Sequence, residues 1–205
     1  MNTTLKTGLQ KSISYNSYRD VVDTLAANND TTGEDKSEAR VNYTKLSARR
    51  MKRWDKTLKI DEKHKTLLAD FEVPVTWLVI TESWCGDAAH VMPALNKIAE
   101  TNPNITLKVV LRDENEALMD MFLTNGSKSI PKLIMIDNST EEVLATYGPR
   151  PSEATNFVNR FKAENGALTP EFKEDLQHWY NSDKGQTIVK DITQLLCKFQ
   201  PSFCQ

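Results

Sequence analysis

Residues 81–90 read TESWCGDAAH, and Cys85 is the residue in that stretch best suited to covalent chemistry. A cysteine thiolate attacks disulfides, metals and electrophiles. A dithiol site would carry a second cysteine three positions on, on the same helix face, and that position holds Ala88. Attack on a disulfide through Cys85 alone leaves a mixed disulfide with no local thiol to release it. Release then needs an external small thiol or a distant cysteine. The spacing therefore predicts single-thiol chemistry: reversible thiolation or covalent trapping. Cys85 at the start of a helix would feel the positive end of the dipole, which lowers a thiol's pKa. Asp87 opposes that effect if its carboxylate points at the sulfur, or caps the first turn if it points away. The expectation is a moderately activated thiol. His90 lies five residues on, about 140° round the helix, so it is not expected to pair with Cys85 and reads as a surface or partly packed histidine.

Other chemistries find less support. No His/Cys cluster has zinc spacing, and no glycine-rich phosphate loop is present. From Lys45 to Lys65 the basic residues clearly outnumber the acids. Without interleaved aromatics or a binding motif, that stretch reads as a solvated helix face and not as a nucleic-acid surface. Cys197 and Cys204 lie seven apart, too far to bridge along one helix, and read as two unpaired thiols, although Pro201 could curl the tail.

The elements that would position Cys85 fall in three parts: a helical extension over 1–70, an alternating α/β unit over 71–166, and a second helical extension over 167–205. The 205 residues carry a net charge of −2, 39% hydrophobic and 26% charged residues, which fits a globular chain with no general reason to bind nucleic acid or membrane. The first twenty residues have no apolar run of signal type, no stretch reaches membrane-spanning length, and three cysteines are few for a disulfide framework; the expectation is cytoplasmic. Residues 18–27 and 37–58 have helical patterning. Residues 73–81 form an apolar run, as in a strand buried on both faces. A helix over 86–100 with Pro93 inside it, a strand over 106–111, a helix over 114–123, strands over 132–137 and 142–147, and a helix over 152–164 follow. Helical crossovers make the early strands parallel, and the last pair forms a hairpin, giving a four-stranded mixed sheet. Helices from Thr169 and over 187–199 complete the tail.

In this order the residues resemble the thioredoxin family. Trp84-Cys85-Gly86 follows an apolar strand, and Pro93 falls eight residues after the cysteine. Residues 110–115 (VLRDEN) resemble the strand end and acidic turn that come next. Residues 126–131 (GSKSIP) resemble the family's loop ending in a cis proline, and Tyr147-Gly148 its last hairpin strand. The wider chain is similar to a bacterial thioredoxin-like group with WCGD motifs and helical extensions. The resemblance implies a thioredoxin-like α/β fold, Cys85 as the catalytic sulfur, and a substrate groove built from Trp84, Gly86, Asp87, Ile130, Pro131 and Gly148. It implies a protein or small-molecule disulfide as partner, and no cofactor beyond an external thiol. The chain departs from the family at Ala88, at Asp87 where proline is usual, and at Val79 where many members bury an acid. Two readings stay open: a thiol-redox protein acting through one cysteine, and a redox-inactive thioredoxin-fold scaffold that binds a protein partner. A Cys85 thiol titrating near or above about 8.5 would favour the scaffold.

Overall fold

Strand β2 (Val75–Thr81) is the centre of the molecule, and all but one of its residues are buried. It pairs in parallel with β3 (Ile105–Leu111), Val79 opposite Val109, and antiparallel with β4 (Lys132–Asp137), Val79 opposite Leu133. Strand β5 (Val143–Tyr147) closes the hairpin with β4. The computed structural model describes residues 2–204. The sheet has five strands, not four: a two-residue strand β1 (Ile13–Ser14) pairs antiparallel with β3, giving the order β1-β3-β2-β4-β5. A strand this short contains no alternation for a sequence pattern to register.

The helices are α1 (Thr3–Lys11), α2 (Tyr15–Ala27), α3 (Glu38–Thr57), α4 (Glu62–Ala69), α5 (Ala88–Ala99), α6 (Glu116–Met121), α7 (Ser152–Asn165), α8 (Pro170–Asp183) and α9 (Gln186–Leu196). Several of their starts obey capping chemistry. The side chains of Ser14, Asp61 and Thr169 accept from the backbone N–H groups of Ser17, His64 and Phe172, satisfying donors that the first turn leaves free. Pro93 sits inside α5.

The main hydrophobic cluster draws on both ends of the chain. Leu5 and Tyr18 join Trp77, Leu78 and Ile80 of β2, Leu95 of α5, and Ile188 and Leu196 of α9. α3 packs on both α2 and α5, and α9 on α5 and α4. A second, smaller cluster lies between α7 and α8, formed by Ala154, Val158, Phe172, Leu176 and Tyr180. Cys197 is disulfide-bonded, which corrects its reading as an unpaired thiol; the side chain of Cys204 lies outside the described residues. Disulfides persist mainly in oxidising compartments, so cysteine usage no longer speaks for the cytosol. No helix among the described residues is long and apolar enough to cross a membrane.

Candidate functional site

The motif follows directly from the end of β2, and hydroxyls fix it there. Ser83 Oγ lies 2.9 Å from Thr44 Oγ1 on α3 and 3.1 Å from Thr32 Oγ1, and the Ser83 N–H donates to Thr32 Oγ1 at 2.9 Å. Thr32 and Ser83 are buried, so these bonds satisfy groups that water cannot reach. Helix α5 begins at Ala88, not at Gly86, leaving Cys85, Gly86 and Asp87 in the turn that leads into it.

Cys85 is 6% exposed. Its thiol donates to the carbonyl oxygen of Ile130 at 3.3 Å, and the Ile130–Pro131 bond is cis. The structure thus brings Cys85, Ile130 and Pro131 together. Gly148 backs directly onto the Pro131 carbonyl, so that a Cβ there would lie 2.3 Å from the oxygen. Trp84 is half-buried beside them. The Arg40 guanidinium lies 3.6 Å from its ring centroid and that of Arg112 lies 5.0 Å away, a cation–π arrangement. Gly86 faces α3, where a methyl would come 4.0 Å from the Arg50 guanidinium.

The thiol is not moderately activated. Burial first, and the Asp87 carboxylate second, push it up to about 12. Opposing them, the backbone N–H groups of Ala88 and Asp87 favour the thiolate, as does Arg150. Burial outweighs these groups.

Asp87 neither caps α5 nor stands free. Its carboxylate holds Arg150 through two contacts, Nε to Oδ1 at 3.1 Å and Nη2 to Oδ2 at 2.8 Å, and accepts from the Tyr180 hydroxyl of α8 at 2.9 Å. Burial raises its carboxyl above the usual range while Arg150 and Tyr180 pull it down.

His90, read as a surface or partly packed residue, is buried at 3% exposure. Trp54 Nε1–H of α3 donates to its Nδ1 at 2.7 Å, which leaves the proton on Nε2, facing Gln177 Oε1 of α8 at 3.0 Å. Its ring stacks on Tyr180, centroids 4.2 Å apart. Burial pushes His90 down to about 3, and Arg50 and Arg53 add to that. The imidazole stays neutral in the folded chain, whereas the unfolded chain takes up a proton below about 6.5. The contribution of a neutral, buried His90 to stability is therefore full above pH 6.5. It should fall below that by up to about 1.4 kcal/mol per pH unit. Denaturant titrations between pH 7 and pH 4 should show this slope in the parent chain and lose it in His90→Gln; equal slopes would contradict the assignment.

Two motif residues, Asp87 and His90, thus fasten both extensions to the turn that carries the sulfur. Arg150, Tyr180 and Gln177 were not legible as site residues, because each is a common residue type lying 60 to 95 positions downstream of its partner. Trp54 could be seen only as part of an apolar helix stripe. Val79 leaves the centre of β2 without an acid, and just beyond the strand the chain buries one, Glu82. It is fully buried, accepts the Asp113 N–H at 2.8 Å, and is raised by burial. Among the described residues no group of three or more His, Cys, Asp or Glu side chains could hold a metal ion.

A mixed sheet with a cysteine at the entry to its central helix, facing a cis-proline loop, defines a thioredoxin-like protein. The family's own model, described as thioredoxin, matches residues 33–164, and the chain belongs to that family. No curated protein matches it. A crystal structure of a Pseudomonas aeruginosa protein of unknown function is similar, with TM-score 0.58 and 17% identity over 74% of this chain and 84% of its own. The crystal structure of an HIV epitope scaffold is similar with TM-score 0.55 and 16% identity, over 90% and 98% of the two chains. At these identities the likeness is one of fold.

Proposed function

We propose that the protein carries out thiol–disulfide exchange through Cys85 alone, and that the structure is its resting, closed form. The observation that carries this reading is the placement of the Cys85 thiol, 3.3 Å from the Ile130 carbonyl oxygen and beside the cis Ile130–Pro131 bond, in the turn that leads into α5. In the exchange, the Cys85 thiolate attacks one sulfur of a disulfide RSSR. A Cys85–S–S–R bond forms and RS⁻ leaves. A second external thiolate R′S⁻ then attacks the R sulfur, giving RSSR′ and restoring the Cys85 thiolate. Trp84, Gly86, Asp87, Ile130, Pro131 and Gly148 are the proposed substrate surface.

One observation favours the second reading, a redox-inactive scaffold. A thiol near 12 lies on the scaffold side of the mark set above. At pH 7 only about one molecule in 10⁵ carries the thiolate, and even with its greater intrinsic nucleophilicity exchange would run about 100-fold slower than for an ordinary cysteine.

The readings part in one experiment: the folded chain is incubated with excess oxidised small thiol and analysed by intact mass. Exchange predicts a single adduct at Cys85 that added thiol removes. A Cys85 unmodified over a day, while the same residue reacts at once in denaturant, would leave the scaffold standing.

A further inference from the structure

Helix α8 is attached to the rest of the molecule in an unusual way. Its apolar face is spent on α7, where Phe172 packs against Phe161 and Phe157 with ring centroids 4.0 and 4.7 Å apart. Toward the motif it offers polar side chains on one face, at the i, i+3, i+4 spacing of a helix: Gln177 to His90, Tyr180 to Asp87, and Asn181 accepting from Arg53 of α3. Both ends of the helix are bounded by left-handed backbone. Gly166 has φ 78° before it, and Lys184 and Gly185 have φ 56° and 79° after it. A helix bounded by such breaks can slide on its packed neighbour while the breaks absorb the rotation.

The geometry points to α8 as a lid over Cys85, latched by Tyr180 on Asp87 and by Gln177 on His90, which rolls on α7 to uncover the sulfur. The lid acts on the same turn from two directions. Closed, it lays the Tyr180 ring on His90 and holds the Asp87 carboxylate, two residues from Cys85, through the Tyr180 hydroxyl. Open, it returns water to the turn and frees the Asp87 carboxylate to swing toward solvent. As regulation of disulfide exchange the lid rests on the function proposed above; as a movement that uncovers Cys85 it does not.

The test separates the two. Cys85 in the full chain is alkylated with iodoacetamide at pH 8, for the parent chain, Tyr180→Phe and Gln177→Ala. Amide hydrogen exchange of α8 and α9 is followed in the same samples. Tyr180→Phe keeps the ring stacked on His90 and removes one hydrogen bond. Its direct electrostatic effect would slow alkylation, because an Asp87 with one donor fewer repels the thiolate more strongly. Lid opening has the opposite sign. Alkylation should speed up about five- to tenfold, the population change expected when a closed state loses one hydrogen bond. Amide exchange in α8 should accelerate while that in α9 does not. Gln177→Ala should act in the same direction through the other latch. Unchanged or slower alkylation in both variants overturns the lid. A third arm uses hydroxyethyl disulfide in place of iodoacetamide. Faster alkylation in the variants with no mixed disulfide would keep the lid and remove the exchange function. A mixed disulfide formed equally by all three chains would keep the exchange and remove the lid.

Discussion

Asp87→Ala should destabilise the fold by about 2–4 kcal/mol, because it strands two groups at once. Arg150 loses both contacts that hold its guanidinium, and the Tyr180 hydroxyl loses its acceptor in a position where water scarcely reaches. The Arg150 side chain is 24% exposed and that of Asp87 14%. Partial solvation of Arg150 places the cost below that of a fully buried pair. The same change should make Cys85 more acidic, since it removes the carboxylate that raises the thiol and unmasks the cation that lowers it. Asp87→Asn should separate the two effects: its amide oxygen still accepts from Arg150, so most of the stability remains while the charge goes. Denaturant unfolding together with the pH dependence of Cys85 alkylation measures both. An alanine variant as stable as the parent chain, with an unshifted thiol, would show that the Arg150–Asp87–Tyr180 cluster fastens nothing.

Gly148→Ala should be worse, at more than about 3 kcal/mol, which places it in the tail of single-substitution effects. Two independent costs meet there. The backbone sits at φ 107°, a region that side-chain-bearing residues rarely occupy, and the added methyl would lie 2.3 Å from the Pro131 carbonyl oxygen. The obstacle is backbone, so no rotamer change relieves it. Relief requires the Pro131 loop to move away from position 148, which shifts the adjoining Ile130 carbonyl that faces Cys85. The variant should therefore either fail to accumulate as folded protein or show a lowered melting temperature with altered Cys85 reactivity. A melting temperature within a degree or two of the parent's would mean that the loop is far softer than its packing implies.

The parts of this architecture that were legible in the sequence are those whose signal is local. Residues 75–81 are apolar because the strand is buried on both faces, and that reads without a partner in view. The Pro93 helix, the β4–β5 hairpin and the loop before Pro131 are short-range patterns of the same kind. Strand β1 was not legible, since two residues carry no period and its place is fixed by Val109, some ninety-six positions away. The thiol at Cys85 shows the limit most clearly. Its place at the entry to a helix can be anticipated from residues 85–88, and the backbone N–H groups of Asp87 and Ala88 favour its thiolate. The burial that reverses the outcome is supplied by chain distant in sequence, Ser47 of α3 and the Ile130 loop among it. His90 illustrates the same point: its angular distance from Cys85 was readable, while its burial between Trp54 and Tyr180 was not.

The clasp also binds the evolutionary fate of distant positions together. Position 87 cannot drift freely while 150 and 180 stay as they are, nor position 90 while 54 and 177 do. A lineage that discarded its tail would be released from keeping an acid beside the cysteine, and one that acquired a thiol at 88 would first have to loosen that acid's grip. The aspartate that looks like a corrupted redox motif is, on this view, the mark a C-terminal helix leaves on the turn it holds.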